Sequence, residues 1–308
     1  MSVLADLQIE ETRGPRFLAI DTSTSSLTVA ITENGHILGE RHSQAERNHS
    51  IYLIPMIQEL LQSLSLAPSD LDGIAVGVGP GSYTGVRIGV TVAKTMAWTL
   101  GLAVLGISSL EALALGSVMP AETAEIADAV SPEQKEVYTA MTGETWIVPL
   151  MNARRGQAYT ALFAASRSNG LVEDASLADG NARYFPQEAL EWARLQGDGI
   201  RLMDAWLGQV NDQLQARMNE GRVLPSRVMF VGETEGFAEA ITAFAEKWSG
   251  ETLAIASDMR ASAVGRLAEE RYRIGEQDDV HGLVPNYTQL AEAEVNLLAK
   301  QKGGATRG

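Results

Sequence analysis

Two short turns hold the side chains best suited to chemistry. The apolar run Phe17-Leu18-Ala19-Ile20 ends in Asp21 and continues as Thr22-Ser23-Thr24. A carboxylate at the end of a buried strand, followed by hydroxyl groups, can ligate a hard cation such as magnesium and bring a phosphate to backbone amides. Near the middle of the chain, Asn152-Ala153-Arg154-Arg155-Gly156 forms a second turn with an amide and two guanidinium groups. A pair of facing carboxylates is absent, and the first turn lacks the glycine that would let backbone approach a phosphate most closely. Asp21 therefore reads as a turn-capping residue in preference to a magnesium ligand.

The stretch from Gly77 to Gly85, Gly-Val-Gly-Pro-Gly-Ser-Tyr-Thr-Gly, could cradle a phosphate at a helix N-terminus. It has no P-loop lysine and departs from dinucleotide-binding spacing, so its glycines are read as turn and packing residues. The four histidines, His36, His42, His49 and His281, include no pair four residues apart, which removes a His-x3-His metal site. No serine has a G-x-S-x-G context, and a chain without cysteine has no thiolate nucleophile or thiolate metal ligand. No catalytic residue, metal ligand or bound cofactor is expected.

Composition narrows the class further. A chain of 308 residues, 45% hydrophobic, suits two domains or one domain of two halves. Absence of cysteine fits the cytoplasm, and no apolar run reaches the ~18–20 residues of a membrane span. The polar, acidic segment 1–14 lacks signal-peptide patterning and is expected to be a disordered extension. A formal net charge of −15 disfavours autonomous binding to a polyanion such as RNA.

The elements that position the turns follow from periodicity. Strands are expected at 17–21, 27–32 and 36–41, the last two joined by Glu33-Asn34-Gly35, a tight-hairpin sequence. Ile51, Ile54, Ile57, Leu60, Leu61 and Leu64 form one apolar helical stripe, with Pro55 in the first turn or at a kink. A strand over 73–78 leads through the glycine loop into a helix over about 84–100. A strand at 102–105 follows, then a helix opened by Ser108 and Glu111 at capping-box spacing. The Ala-, Glu-, Pro- and Thr-rich stretch 117–145 reads as a variable insertion between halves at 15–116 and 146–308. Beyond it are expected a hairpin of strands at 146–153 and 158–165, a helix near 187–195, a strand at 228–231, and helices at about 236–248 and 262–274. The last helix is assigned a return to the N-terminal half. Each half opens on a hairpin and later places strand, glycine turn and helix in order, an α/β pseudo-repeat. Gly85, Gly89, Ala93 and Ala97 recur every four residues and make a ridge of small side chains. The ridge fits a partner helix and the protein's own sheet equally well.

Four stretches, taken in order, resemble the TsaB (YeaZ) family: Leu18 to Thr24, Val76 to Gly89, Gly106 to Leu113 and Asn152 to Tyr159. Pro285-Asn286-Tyr287 is similar to that family's C-terminal signature, so the resemblance extends over most of 17–295. It implies an actin-like, sugar-kinase-like α/β fold of two RNase-H-like halves. It also implies a non-catalytic dimerisation subunit that pairs with the larger paralog TsaD, which transfers a threonylcarbamoyl group to the tRNA adenosine next to the anticodon. The small ATPase TsaE completes the set. ATP and metal are then expected on the partners, tRNA is reached through the complex, and a homodimer stays open beside the heterodimer. The resemblance turns the ridge toward the interface, which would use His49, Leu53, Ile57, Thr84, Gly85, Ile88, Gly89, Val92, Ala93 and Met96. Asp21, Thr22, Ser23, Asn152, Arg154 and Arg155 would be vestiges of phosphate turns. The sequence departs from the family at Val78, where Arg is usual, and at Asn152, where Asp is usual, and its segments 117–145 and 195–227 are longer. An autonomous actin-fold nucleotide-binding enzyme, ATPase or phosphotransferase, is the alternative, ahead of a peptidase.

Overall fold

In β1 (Arg16–Asp21), Leu18 and Ile20 join one buried cluster while Phe17 and Ala19 join another. Successive side chains alternate across a sheet, so this strand needs cover on both faces. A computed structural model, which describes residues 13–43, 48–120, 141, 143–167, 183–185 and 189–288, shows how that cover is built. β2 (Leu27–Glu33) and β3 (His36–Ser43) continue from β1 as an antiparallel meander, and β4 (Gly73–Gly77) and β5 (Ala103–Ile107) add parallel strands. The sheet order is β3-β2-β1-β4-β5.

The second sheet contains β6 (Thr145–Asn152), β7 (Gln157–Arg167), β8 (Arg183–Phe185), β9 (Leu190–Leu202), β10 (Arg227–Gly232) and β11 (Glu251–Ala256). Its order, β8-β9-β7-β6-β10-β11, repeats that of the first sheet with β8 added at one edge. Strand sense repeats too, antiparallel through β9, β7 and β6 and parallel through β6, β10 and β11. The duplicated half is the actin-like, sugar-kinase-like arrangement of two RNase-H-like units.

Helices fill the layers. α1 (His49–Ser63) and α2 (Tyr83–Leu100) cover the outer face of the first sheet, packing on Leu18, Ile20, Ile74 and Val76. α4 (Met203–Asn219) and α5 (Ala238–Ala245) cover the outer face of the second, with Trp206 and Phe244 against Val148 and Phe230. The inner layer is exchanged: α3 (Ser109–Gly116) from the first half packs on β6 and β7, while α6 (Ala261–Arg273) from the second packs on β1 and β2. Glu40 of β3 accepts Ser262 N and Ser262 Oγ, each at 2.9 Å, and so caps α6 across the halves. Arg260 donates to Gly116 O and Met119 O at the end of α3. These ties and the shared core, including Phe17, Leu110, Ile147, Phe163 and Leu267, join the two halves.

Several expectations change. The region read as a helix near 187–195 contains strand β9 from Leu190, because Leu190 and Trp192 bury in the ladder with β7. Cross-strand pairing there overrides weak local periodicity. The 17-residue α4 and the edge strand β11 were not anticipated. α1 continues through Pro55 beyond its first turn. Residues 1–12 of the expected disordered extension and 121–140 of the expected insertion lie outside the described residues.

Candidate functional site

Asp21 closes β1 and is fully buried. Its Oδ1 accepts Ser23 N at 2.7 Å and Ser23 Oγ at 2.6 Å, and its Oδ2 accepts Ser109 Oγ at 2.7 Å. Burial pushes the carboxyl pKa up, opposed by the hydrogen bonds from Ser23 and Ser109. A β-carbon at Gly77 would collide with Oδ2, so glycine is required where β4 passes the carboxylate. Both oxygens have donors from the chain itself, which is the geometry of a turn cap. Thr22 Oγ1 donates to Gly85 O at 2.7 Å, tying the turn to α2. Ser109 has no distinguishing signal in sequence, since its role depends on β5 ending beside β1 through β4.

The glycine loop is similarly committed. Val78 N donates to Ile107 O, Gly79 N to Ser109 Oγ, Ser82 N to Ser23 O, and Gly85 N to Ser82 Oγ. A phosphate cradle needs such amides directed outward; here these four are held by internal acceptors. In the second turn Asn152 Oδ1 accepts Arg154 N at 2.7 Å, repeating the Asp21–Ser23 bond at the same two-residue offset. Arg154 and Arg155 have φ of 66° and 53°, and both are exposed. Among the described residues no group of three or more His, Asp or Glu is placed to hold a metal.

A cleft of about 550 Å³ lies between the end of β5, the β8–β9 edge and the end of α6, lined by Ser108, Glu111, Arg183, Arg194, Arg271 and Glu276 among others. Its guanidinium groups are neutralised internally: Arg183 and Arg194 by Glu111, at 3.0 and 2.5 Å, and Arg271 by Glu276 and Asp278. It presents paired charge and no open anion site.

The residues assigned to an interface divide between two faces. His49, Leu53, Ile57, Gly85, Gly89 and Ala93 are buried in this chain, so they cannot be offered to a partner as expected. A β-carbon at Gly85 would strike Thr22 O, and one at Gly89 would lie 2.5 Å from Thr22 Oγ1. The small-residue ridge therefore serves close approach of α2 to its own β1–β2 turn. His49 sits at the start of α1, with Nε2 3.2 Å from Ser25 O. Thr84 is exposed, and Ile88, Val92 and Met96 are half-buried at the α1 flank of α2. The apolar stripe of α1 also splits: Ile57, Leu60 and Leu61 point inward, whereas Ile51 is 62% exposed and Ile54 40%. Tyr52 and Pro55 on α1, and Tyr83, Trp98 and Leu100 on α2, are exposed too. α1 and α2 thus turn these apolar side chains outward, with Thr84, Thr91 and Thr95 exposed beside them on α2. Sequence periodicity located the helices and left the direction of each apolar side chain open, because a helix apolar on both sides gives no preferred direction.

Comparison with known proteins follows the same lines. A family model described as TsaD, tRNA N6-adenosine threonylcarbamoyltransferase, matches residues 36–297. The tRNA threonylcarbamoyladenosine biosynthesis protein TsaB of Bacillus subtilis (strain 168) is 33% identical over 285 residues, 92% of this chain and 99% of that protein. The protein of the same description from Escherichia coli (strain K12) is 34% identical over 125 residues, 41% of this chain and 54% of that protein, so that match spans about half of the relative. Among solved structures, YeaZ from Pseudomonas aeruginosa aligns with a TM-score of 0.56 at 20% identity, covering 89% of this chain and 99% of that one. This likeness shows the shared fold.

Proposed function

The chain belongs to the TsaB (YeaZ) family of tRNA threonylcarbamoyladenosine biosynthesis proteins, and on that premise we propose that it serves this tRNA modification as a non-catalytic dimerisation subunit. The observation that carries the proposal is the exposed apolar face of α1 and α2, beside a first turn whose carboxylate is satisfied internally. An apolar patch rimmed by polar residues suits a protein partner. The partner is the paralogous transferase TsaD, with the TsaE ATPase acting on the assembled pair. The net charge of −15 leaves tRNA contact to those partners and agrees with a role in which this chain holds no polyanion. Action on tRNA accords with a cytoplasmic location, and among the described residues no helix is long and apolar enough to cross a membrane.

Ile51→Glu tests the reading. The side chain is largely exposed, so the melting midpoint of the isolated chain should move by little, as for surface changes of about 0.5 kcal/mol or less. Affinity for TsaD should fall by about tenfold or more, because a carboxylate would be desolvated in an apolar contact. Threonylcarbamoylation by the reconstituted proteins should fall in parallel. Unchanged affinity would remove α1 from the docking face and with it the support for this role.

A further inference from the structure

The C-terminal segment 276–288 crosses the first half as a strap. Asp278 N donates to Val104 O at 2.9 Å, and its carboxylate accepts Gly106 N, so the strap covers the open edge of β5. It then runs antiparallel to α2. His281 lies against Trp98, Lys94 Nζ donates to His281 O and Leu283 O at 3.0 and 2.8 Å, and Tyr287 reaches the first turn of α2. Asn286 N donates to Val78 O at 2.7 Å and anchors the end of the strap on the glycine loop. α2 is therefore flanked by α1 on one side and by the strap on the other.

Where the strap ends, three side chains form a stack. The Arg87 guanidinium carbon lies 4.1 Å from the Tyr83 ring centroid and 5.6 Å from that of Tyr287, and the two rings are 5.3 Å apart. Arg87 Nε donates to Tyr287 Oη at 2.9 Å. That bond fixes the plane of the guanidinium, Tyr83 adds a second side-chain hydrogen-bonding contact, and the remaining terminal N–H groups are open to another acceptor. Arg87 is exposed and forms no ion pair among the described residues, in contrast with Arg271, Arg194 and Arg183. An oriented arginine framed by two half-exposed tyrosines, next to an apolar patch, has the composition of an interface anchor.

Charge decides the occupant. α2 contains Arg87 and Lys94 and no Asp or Glu; α1 contains one acid, Glu59. In the strap, Glu276 and Asp278 are paired with Arg271, and Asp279 accepts His281 N and Gly282 N. A second copy of this face would bring Arg87 no acidic residue from α2 and only Glu59 from α1, which offers it little. We propose that Arg87, oriented by Tyr83 and the strap residue Tyr287, is the charged anchor of this face, and that its occupant is a non-identical chain supplying a carboxylate, the transferase subunit in preference to a second copy. This rests on the docking role proposed above.

The test measures binding of the full chain to TsaD and, separately, its self-association. Arg87→Gln should weaken binding to TsaD about tenfold or more and flatten its salt dependence, with self-association changed less than about twofold. Tyr287→Phe, which keeps the ring and removes the acceptor of Arg87 Nε, should give a smaller loss of about threefold. Arg87→Lys should retain the salt dependence and recover only part of the affinity, because an ammonium cannot keep the stacked orientation. Equal loss of self-association in Arg87→Gln would make a second copy the occupant and overturn the assignment, as would unchanged affinity for TsaD. Ile51→Glu run alongside separates the two levels. If it abolishes pairing while Arg87→Gln does not, only the anchor fails; if neither affects pairing, the docking role fails.

Discussion

Gly85 and Gly89 face Thr22 from successive turns of α2, and replacing each with alanine should affect stability differently. In a solvent-facing helix position, Gly→Ala raises stability by about 0.5–1 kcal/mol. At Gly85 the new carbon meets Thr22 O, a backbone atom that no rotamer can move, and it disturbs the 2.7 Å bond from Thr22 Oγ1 to Gly85 O. Overpacking of that kind costs about 1–3 kcal/mol and the bond about 1 kcal/mol, giving a net loss of about 1–3 kcal/mol. At Gly89 the carbon meets the Thr22 hydroxyl oxygen at 2.5 Å, while the rest of that side chain is 3.6 Å away. The hydroxyl can rotate at the expense of its own bond, so gain and loss should nearly cancel, within about 1 kcal/mol. Gly208, exposed on α4 with open space where a β-carbon would sit, provides the control and should gain about 0.5–1 kcal/mol as alanine. At about 2–4 °C per kcal/mol, calorimetry should place Gly208→Ala about 1–4 °C above the parent and Gly85→Ala about 2–12 °C below it. Protein concentration must be held fixed, because self-association raises apparent stability. Gly85→Ala melting as high as Gly208→Ala would refute the packing of this ridge on the first turn.

Glu269 of α6 is buried, and burial raises its pKa to about 7 against the stabilising effects of Thr32, Gly35 N, Arg266 and Arg273. The folded state therefore binds this proton more tightly than the unfolded chain, whose group titrates near 4.5. Stability should fall as pH rises from about 4.5 to 7 and level off above, by up to about 3 kcal/mol, with Asp21 acting in the same direction. Urea midpoints between pH 5 and 8 read this slope, and Glu269→Gln should flatten it and stabilise the protein at pH 8; a wild-type slope in that variant would remove Glu269 as its source. Calorimetry of the chain alone with magnesium-ATP should give no tight binding, since Asp21 and the amides of Val78, Gly79, Ser82 and Gly85 already have internal partners. Micromolar affinity lost in Asp21→Ala would overturn the non-catalytic reading.

Sequence alone was sufficient for the strand-helix order of the first half and the family resemblance. Each rests on local signals: a hydrophobic run ending in a carboxylate, an Asn-Gly hairpin, and a long contiguous motif from Val76 to Gly89. The second half was less legible because β9 gains its state from a ladder with β7 that no local period announces. The direction of α2 was decided only by tertiary structure. Four small residues at four-residue spacing state that something approaches closely, and only the position of Thr22, more than sixty residues earlier in the chain, identifies what approaches. The same holds for Arg87 and Tyr287, 200 positions apart, which meet because the exchanged helix α6 delivers the C-terminal strap back onto the first half. Periodicity records that a face is special; the partner of that face is set by long-range packing, where the hydrophobic effect has no preference for neighbours in sequence.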